Sequence, residues 1–219
     1  MAPCDNCDLY ESATNIVDGA GPTDAKIMMI GEAPGEEEDK QGLPFVGRGG
    51  KVLDKALGFI GVDRDSIYIT NLVKCRPPEN RNPAPSEIKE CKDTLIDEVF
   101  SVRPKIIITL GKIPSSFIAG NDIKISELHG SKEQMIIISS EYPDIKENTL
   151  KANGHVFLPL ASIGKRNPLS PVHSFIWVPL YHPAWLLHGY TEAKLNVYRE
   201  GLLTVKELLE DEAKAQCEE

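Results

Sequence analysis

Lys26-Ile27-Met28-Met29-Ile30-Gly31-Glu32-Ala33-Pro34-Gly35 is a short apolar run that stops at a glycine and turns polar. A run of that length, bounded by turn residues, reads as a strand buried on both faces. Ser66-Ile67-Tyr68-Ile69-Thr70-Asn71 and Lys105-Ile106-Ile107-Ile108-Thr109-Leu110-Gly111 repeat the pattern further along the chain. Between the first two, Val52, Leu53, Ala56, Leu57 and Ile60 recur at helical spacing within 49–60, with Gly61 as a C-cap. After the proline-rich loop from Pro77 to Pro85, Ser86 is placed to cap a second helix running through Val102. Helices alternating with near-continuously apolar strands predict an α/β fold, its central, mainly parallel sheet covered by helices on both faces.

The second half is less regular. Gln134 to Ser139 and His155 to Leu160 read as strands, separated by a polar stretch with Pro143 and Asn148, and Lys165 to Pro171 reads as loop. Phe175 to Tyr181 is a further strand, leading into His182-Pro183-Ala184, and helices follow. The chain has 219 residues, no internal repeat and no linker-like segment, so a single domain over 1–219 is expected.

Composition narrows the function classes. With 41% apolar and 26% charged residues the chain can bury a real core. No apolar run reaches the roughly 18 residues of a membrane span. Met1-Ala2-Pro3-Cys4-Asp5 lacks the features of a secretory signal, so a cytoplasmic location and no membrane partner are expected. The 33 acids against 24 Lys and Arg give a net charge of −9, which argues against coating nucleic acid by bulk charge but not against a local grip. Much of the excess lies in 192–219, where eight acids face four bases.

Cys4 and Cys7 form a C-x2-C pair, and Cys75 and Cys91 lie far from them in sequence. Without an export signal a disulfide framework is not expected. Four thiolates in two pairs suit either tetrahedral zinc or an iron–sulfur cluster, and spacing does not choose between them. A thioredoxin-like redox pair would follow a strand, whereas Cys4-Asp5-Asn6-Cys7 precedes every predicted one. Cys217 lies in the acidic tail and reads as a bystander.

In parallel α/β sheets ligands sit beyond the carboxyl ends of the strands. Three polar clusters fall there: Gly31 to Asp39, Asn71 to Arg81, and Tyr181-His182-Pro183. The glycines near Glu32 form neither G-x-G-x-x-G nor a phosphate-binding P-loop, and no nucleophile elbow is present. The acidic run Glu36 to Asp39 reads as a solvated loop.

Gly31-Glu32-Ala33-Pro34-Gly35 with Pro44-Phe45-Val46-Gly47 resembles the first motif of the family 4 uracil-DNA glycosylases. Thr70 to Pro78 and Asn80-Arg81-Asn82-Pro83 resemble that family's second stretch, and Lys105 to Gly111, Tyr181-His182-Pro183-Ala184 and the cysteine pairs complete the likeness. It covers Cys4 to about Gly120 and resumes at Trp177.

The resemblance implies a three-layer α/β/α sandwich. It also implies a [4Fe-4S] cluster held by Cys4, Cys7, Cys75 and Cys91, tying the N-terminal segment to the loop and helix after the second strand, with zinc as the alternative. The activity implied is hydrolysis of the N-glycosidic bond of uracil in DNA, with an abasic site and free uracil as products. The nucleotide must be flipped out of the stack to be reached. Phe45 then offers a face to the base, and the Asn71 amide matches the O4 acceptor and N3 donor of uracil but not cytosine. A donor on His182 and backbone amides of the Gly31–Ala33 loop would stabilise the departing anion, while Glu32 would hold water and offset positive charge on the sugar. By similarity Glu38 lies near C5 and helps exclude thymine.

Arg48, Lys51, Lys74, Arg76 and Arg81 are the expected phosphate contacts. Of Trp185, Leu186 and Leu187, one or two are expected to pack onto the sheet and one to stay exposed, placed to wedge into the gap left by the flipped base. A monomer is expected. The segment 130–175 is longer than usual for the family and matches no motif; a surface hairpin is the first expectation, with a repair-protein partner site or a loop reaching DNA as the others. His129 and His188 stand where the family often has arginine. A related branch that stays covalently attached to the sugar has a histidine in the loop that here reads Glu79-Asn80-Arg81-Asn82. Two other functions fit the same scaffold: a glycosylase for hypoxanthine or xanthine, and a non-catalytic iron–sulfur DNA-binding module.

Overall fold

The computed structural model describes residues 4–139, 151–152, 155–159 and 173–217. In chain order, α1 (Leu9–Ser12) precedes β1 (Ile27–Gly31), α2 (Glu36–Gln41) and α3 (Arg48–Ile60). Then come β2 (Tyr68–Asn71), α4 (Pro85–Val102), β3 (Ile106–Leu110), α5 (Lys112–Ala119) and α6 (Ile125–Leu128). The chain continues through β4 (Glu133–Ser139), β5 (Lys151–Ala152), β6 (His155–Pro159), β7 (His173–Leu180) and α7 (Glu192–Cys217).

All five residues of β1 and all five of β3 are buried, as their apolar runs require. Alternation along β1 sorts its side chains to two sides. Ile27 and Met29 pack with Leu53, Leu57 and Ile60 of α3 and with Tyr198, Leu202 and Val205 of α7. Met28 and Ile30 pack instead with Leu95, Ile96 and Val99 of α4 and with Phe117 and Ile118 of α5. Two helical layers therefore sandwich one sheet, and each fully buried aliphatic side chain contributes about 1.5–3 kcal/mol. Helix α3 ends where the sequence expects, at Gly61 with φ of 72°.

The sheet has seven strands in the order β2-β1-β3-β7-β4-β6-β5. β2, β1, β3 and β7 are mutually parallel, with Gly31 opposite Asn71 at the ends of β1 and β2. β4, β6 and β5 extend the sheet antiparallel from β7, so the sheet is mixed.

Three expectations change. The 130–175 segment does not form a detached surface hairpin over its described residues: Met135, Ile137 and Phe157 enter the core beside Trp177. Its stretches around Pro143 and Asn148 and from Lys165 to Pro171 lie outside the described residues. The acidic run is helix α2 rather than solvated loop; acids at a helix start complement its dipole, and Asp39 is buried. Helix α4 begins at Pro85, not after Ser86, because Pro85 suits the first turn and the Glu87 carboxylate accepts from Ala84 N at 2.6 Å. Among the described residues no helix is long and apolar enough to cross a membrane.

Candidate active site

The carboxyl ends of β1, β2 and β7 open into one cleft of about 920 Å³. Glu32, Ala33, Glu38, Phe45, Arg48, Asn71, Arg81, His182 and Leu187 line it. Residues far apart in sequence thus share one site because parallel strands end on the same side.

Asn71 lines its floor, with Gly31 packed directly against the amide. A Cβ on Gly31 would overlap Asn71 Oδ1 and stand 2.5 Å from Phe45 Cζ, so only glycine lets ring and amide approach the β1 backbone. Asn71 is 2% exposed, and its buried Oδ1 has no hydrogen-bond partner among the described residues. A buried orphan acceptor is costly, which points to a ligand donor that satisfies it. Phe45 is buried at φ of 54°, a left-handed conformation unusual for a bulky residue. Its carbonyl packs on Gly50, where a Cβ would overlap it, which explains that glycine in the first turn of α3.

His182 follows β7 and caps a short 3-10 turn, Pro183–Leu187. Its Nδ1 accepts from Ala184 N at 3.2 Å, so the neutral ring carries its proton on Nε2. Burial pushes its pKa down to about 4, partly offset by the Glu38 carboxylate. The ring lies 5.8 Å from that of Phe45, between centroids. Glu38 Oε1 accepts from Gly47 N at 2.8 Å, fixing the turn between Phe45 and α3. Burial raises the Glu32 pKa above 4.5, favouring a carboxylate poised to take a proton.

The expected DNA contacts divide. Arg48 is exposed on the cleft rim and Lys51 is exposed one turn further along α3. Arg76 Nε donates to Asn80 Oδ1 at 2.8 Å and stays partly open. Arg81 is exposed but forks onto Glu87 at 2.9 and 2.6 Å, which holds the loop as well as presenting charge. Lys74 is not a surface cation: it is 3% exposed and its Nζ lies 2.6 Å from Glu98 Oε2. Of the wedge candidates, Leu186 is buried in the core and Trp185 stacks on Tyr181 at 4.2 Å under Lys194. Leu187 is 38% exposed on the cleft. His188 is exposed beside it. His129 is structural, accepting from Tyr181 N at 3.1 Å and bonding Val197 O at 2.9 Å.

Cys4, Cys7, Cys75 and Cys91 line a second cavity of about 370 Å³ with Leu9, Tyr10, Ile16 and Val73. Burial, then repulsion from the neighbouring thiols, pushes Cys75 up to about 12; burial also raises Cys7 and Cys91. Among the described residues, no three His, Cys, Asp or Glu side chains close on a single-ion position. The N-terminal segment is strapped to α2 by Asp39, whose Oδ1 accepts from Thr14 N at 2.8 Å and Asn15 N at 3.1 Å.

A family model described as Uracil DNA glycosylase superfamily matches residues 19–204. The chain belongs to this superfamily. A Type-4 uracil-DNA glycosylase of Archaeoglobus fulgidus is 47% identical over 115 residues, 52% of this chain and 58% of that protein. One of Sulfurisphaera tokodaii is 42% identical over 150 residues, 64% of this chain and 68% of that protein. One of Thermotoga maritima is 43% identical over 129 residues, 58% of this chain and 67% of that protein. The chain thus spans between 58% and 68% of the length of these three relatives.

In this superfamily member, the sequence left three roles unread: Ala184, whose backbone sets the His182 tautomer; Asp39, which straps the N-terminal segment to α2; and Glu98, which holds Lys74 behind Asn71. Ala184 and Asp39 lie within the Tyr181–Ala184 and Gly31–Asp39 stretches, where nothing local marks their backbone and carboxylate roles. Glu98 had no local signal, because its partner Lys74 lies 24 residues away.

Proposed function

We propose that this chain flips uracil out of DNA and hydrolyses its N-glycosidic bond, as the names of its Type-4 relatives suggest. The observation that carries the reading is the orphaned, buried Asn71 Oδ1 beside Phe45, in a cleft that His182 and Glu32 also line. That acceptor suits the N3–H of uracil, and the amide NH2 suits O4. Cytosine presents a bare N3 and a donor at C4, so it leaves both halves of the amide unpaired, a mismatch that discriminates strongly.

The flipped base lies against Phe45. As the C1′–N1 bond breaks, its electron pair moves into the base, and negative charge gathers on O2. The Nε2–H of neutral His182 donates to that oxygen, a stabilisation that grows toward the transition state. Glu32 holds water at the opposite face of the sugar and offsets the charge growing there. The water oxygen bonds to C1′, its proton passes to the Glu32 carboxylate, and uracil leaves as the anion. Glu38, fixed by Gly47 N, sits at the loop side of the cleft, where a carboxylate disfavours the 5-methyl group of thymine. Arg48, Lys51, Arg76 and Arg81 meet phosphates, and Leu187 fills the vacated stack.

Cys4, Cys7, Cys75 and Cys91 are the residues that would hold an iron–sulfur cluster. The fit rests on an apolar cavity too wide for one ion and on crowded thiols whose raised pKa values a metal would relieve. A [4Fe-4S] group there supplies a covalent tie between the N-terminal segment and the loop after β2; uracil excision transfers no electrons.

Oligonucleotides carrying one uracil, hypoxanthine or xanthine, treated with the protein and then with alkali, test the activity. Strand cleavage at uracil is expected. Binding without cleavage at any base would support the non-catalytic module, and cleavage at purines alone would replace uracil as substrate.

A further inference from the structure

We infer that Lys74 is a positioning residue that ties the base-reading Asn71 to the cysteine-lined cavity. The inference rests on the reading of Asn71 as the amide that reads uracil.

A lysine ammonium has three N–H donors, and all three are used inside the protein. Nζ donates to Thr70 Oγ1 at 2.6 Å, to the Asn71 carbonyl at 2.9 Å and to Glu98 Oε2 at 2.6 Å. Thr70 Oγ1 in turn donates to Glu98 Oε2 at 2.7 Å, and Glu98 Oε1 accepts from Gly19 N at 2.9 Å. The last two residues of β2 are therefore gripped from behind by one buried ion pair. Asn71 cannot shift its backbone without breaking a charge-assisted bond in a water-poor site.

The same residue faces the other cavity through its backbone. Lys74 N donates to Cys91 Sγ at 3.3 Å, its carbonyl accepts from Val17 N at 2.8 Å, and Cys75 is the next residue. One amino acid thus touches the amide-bearing strand end, a cysteine of α4 and the N-terminal strap. A buried ion pair is weak evidence of stability, but breaking one strands a charge, so its geometry is firmly held. Among the described residues Asn71 Oδ1 has no partner of its own, so the amide takes its position from the backbone that Lys74 holds and from the packing of Gly31 and Phe45.

A double-mutant cycle with free uracil as the probe, read by calorimetry, tests this without turnover. Lys74→Met keeps the apolar stem and removes the donors; Asn71→Ala removes the reading amide. Each single variant is expected to weaken uracil binding about tenfold. The double variant is expected to match Asn71→Ala alone, because Lys74 acts only through Asn71. Iron content and the thermal midpoint are recorded for every variant, and a lowered midpoint alone does not count as support. Losses that simply add, or unchanged binding in Lys74→Met beside weakened binding in Asn71→Ala, overturn the inference while leaving Asn71 as the reader. Unchanged binding in Asn71→Ala overturns the reading of Asn71 and the inference with it. If Lys74→Met does not fold, Lys74→Met/Glu98→Gln, which removes both buried charges, takes its place in the cycle with the same expected outcomes.

Discussion

Gly31 and Asn71 end neighbouring parallel strands in register, and the side chain that the first lacks is the space that the amide of the second occupies. Gly31→Ala should therefore leave the sheet intact and spoil the floor of the cleft. Excision of uracil should fall at least about 100-fold, the scale on which a small misplacement of reacting groups acts, with the thermal midpoint little changed. Wild-type turnover in this variant would show that the close approach is incidental.

Acid sensitivity follows from His182. Its pKa in the folded chain is about 4, against an ordinary 6.5. Between those values the unfolded chain binds more protons, so stability is lost as pH falls through that window, by roughly 3 kcal/mol in total. His129 and His173 are also pushed down by burial and add in the same direction. Urea midpoints measured from pH 7 to pH 4 should fall steadily, and the slope should be shallower in His182→Gln.

Activity should have a separate acid limb. Burial holds the Glu32 pKa above 4.5, and the proposed chemistry needs its carboxylate. Turnover should decline as pH drops toward that raised value, and Glu32→Gln should lower kcat by about 10²–10⁴ with little change in KM. A rise in KM at constant kcat would reassign Glu32 to binding.

Adjacent leucines should behave oppositely. Leu186 is 7% exposed and packs in the core, so Leu186→Ala should cost about 2–5 kcal/mol of stability. Leu187 is 38% exposed, so Leu187→Ala should leave the denaturation midpoint in place. It should slow excision from duplex more than from single strands, since only the duplex leaves a gap to fill. Equal effects on the two substrates would remove Leu187 from the wedge role.

Salt dependence separates the cations. Arg48→Ala should weaken DNA binding across sequences and reduce the slope of log K against log salt by about 1. An unchanged slope would take Arg48 off the phosphate path.

The parts of the site legible in the sequence are those written locally. Gly31, Asn71 and His182 sit at the ends of apolar runs, and topology alone brings such ends together. Strand-to-helix alternation likewise gave the two-sided covering of β1. The misread residues depend on which way a side chain turns. Lys74 lies among cations in a polar loop, but its stem runs back under β2 to Glu98, a partner no short motif announces. That one of Trp185, Leu186 and Leu187 is exposed while the others pack is as expected; which one depends on phase in a tight turn, which periodicity does not resolve over five residues. The helicity of Glu36 to Gln41 was hidden because its one buried residue is Asp39, satisfied by backbone donors of Thr14 and Asn15 rather than by apolar packing. The placing of β4 and β6 needed knowledge of a free edge on β7, which only the assembled sheet supplies.

That edge has a consequence for how such a chain can change over time. β7 bonds in parallel to β3 on one side and antiparallel to β4 on the other, so every strand added through β4 grows away from the cleft. Strands added at that edge lengthen the sheet without closing the cleft at the carboxyl ends of β1 and β2. Cleft and extended edge thus occupy separate parts of one sheet, although β4 and β6 still share the core beside Trp177.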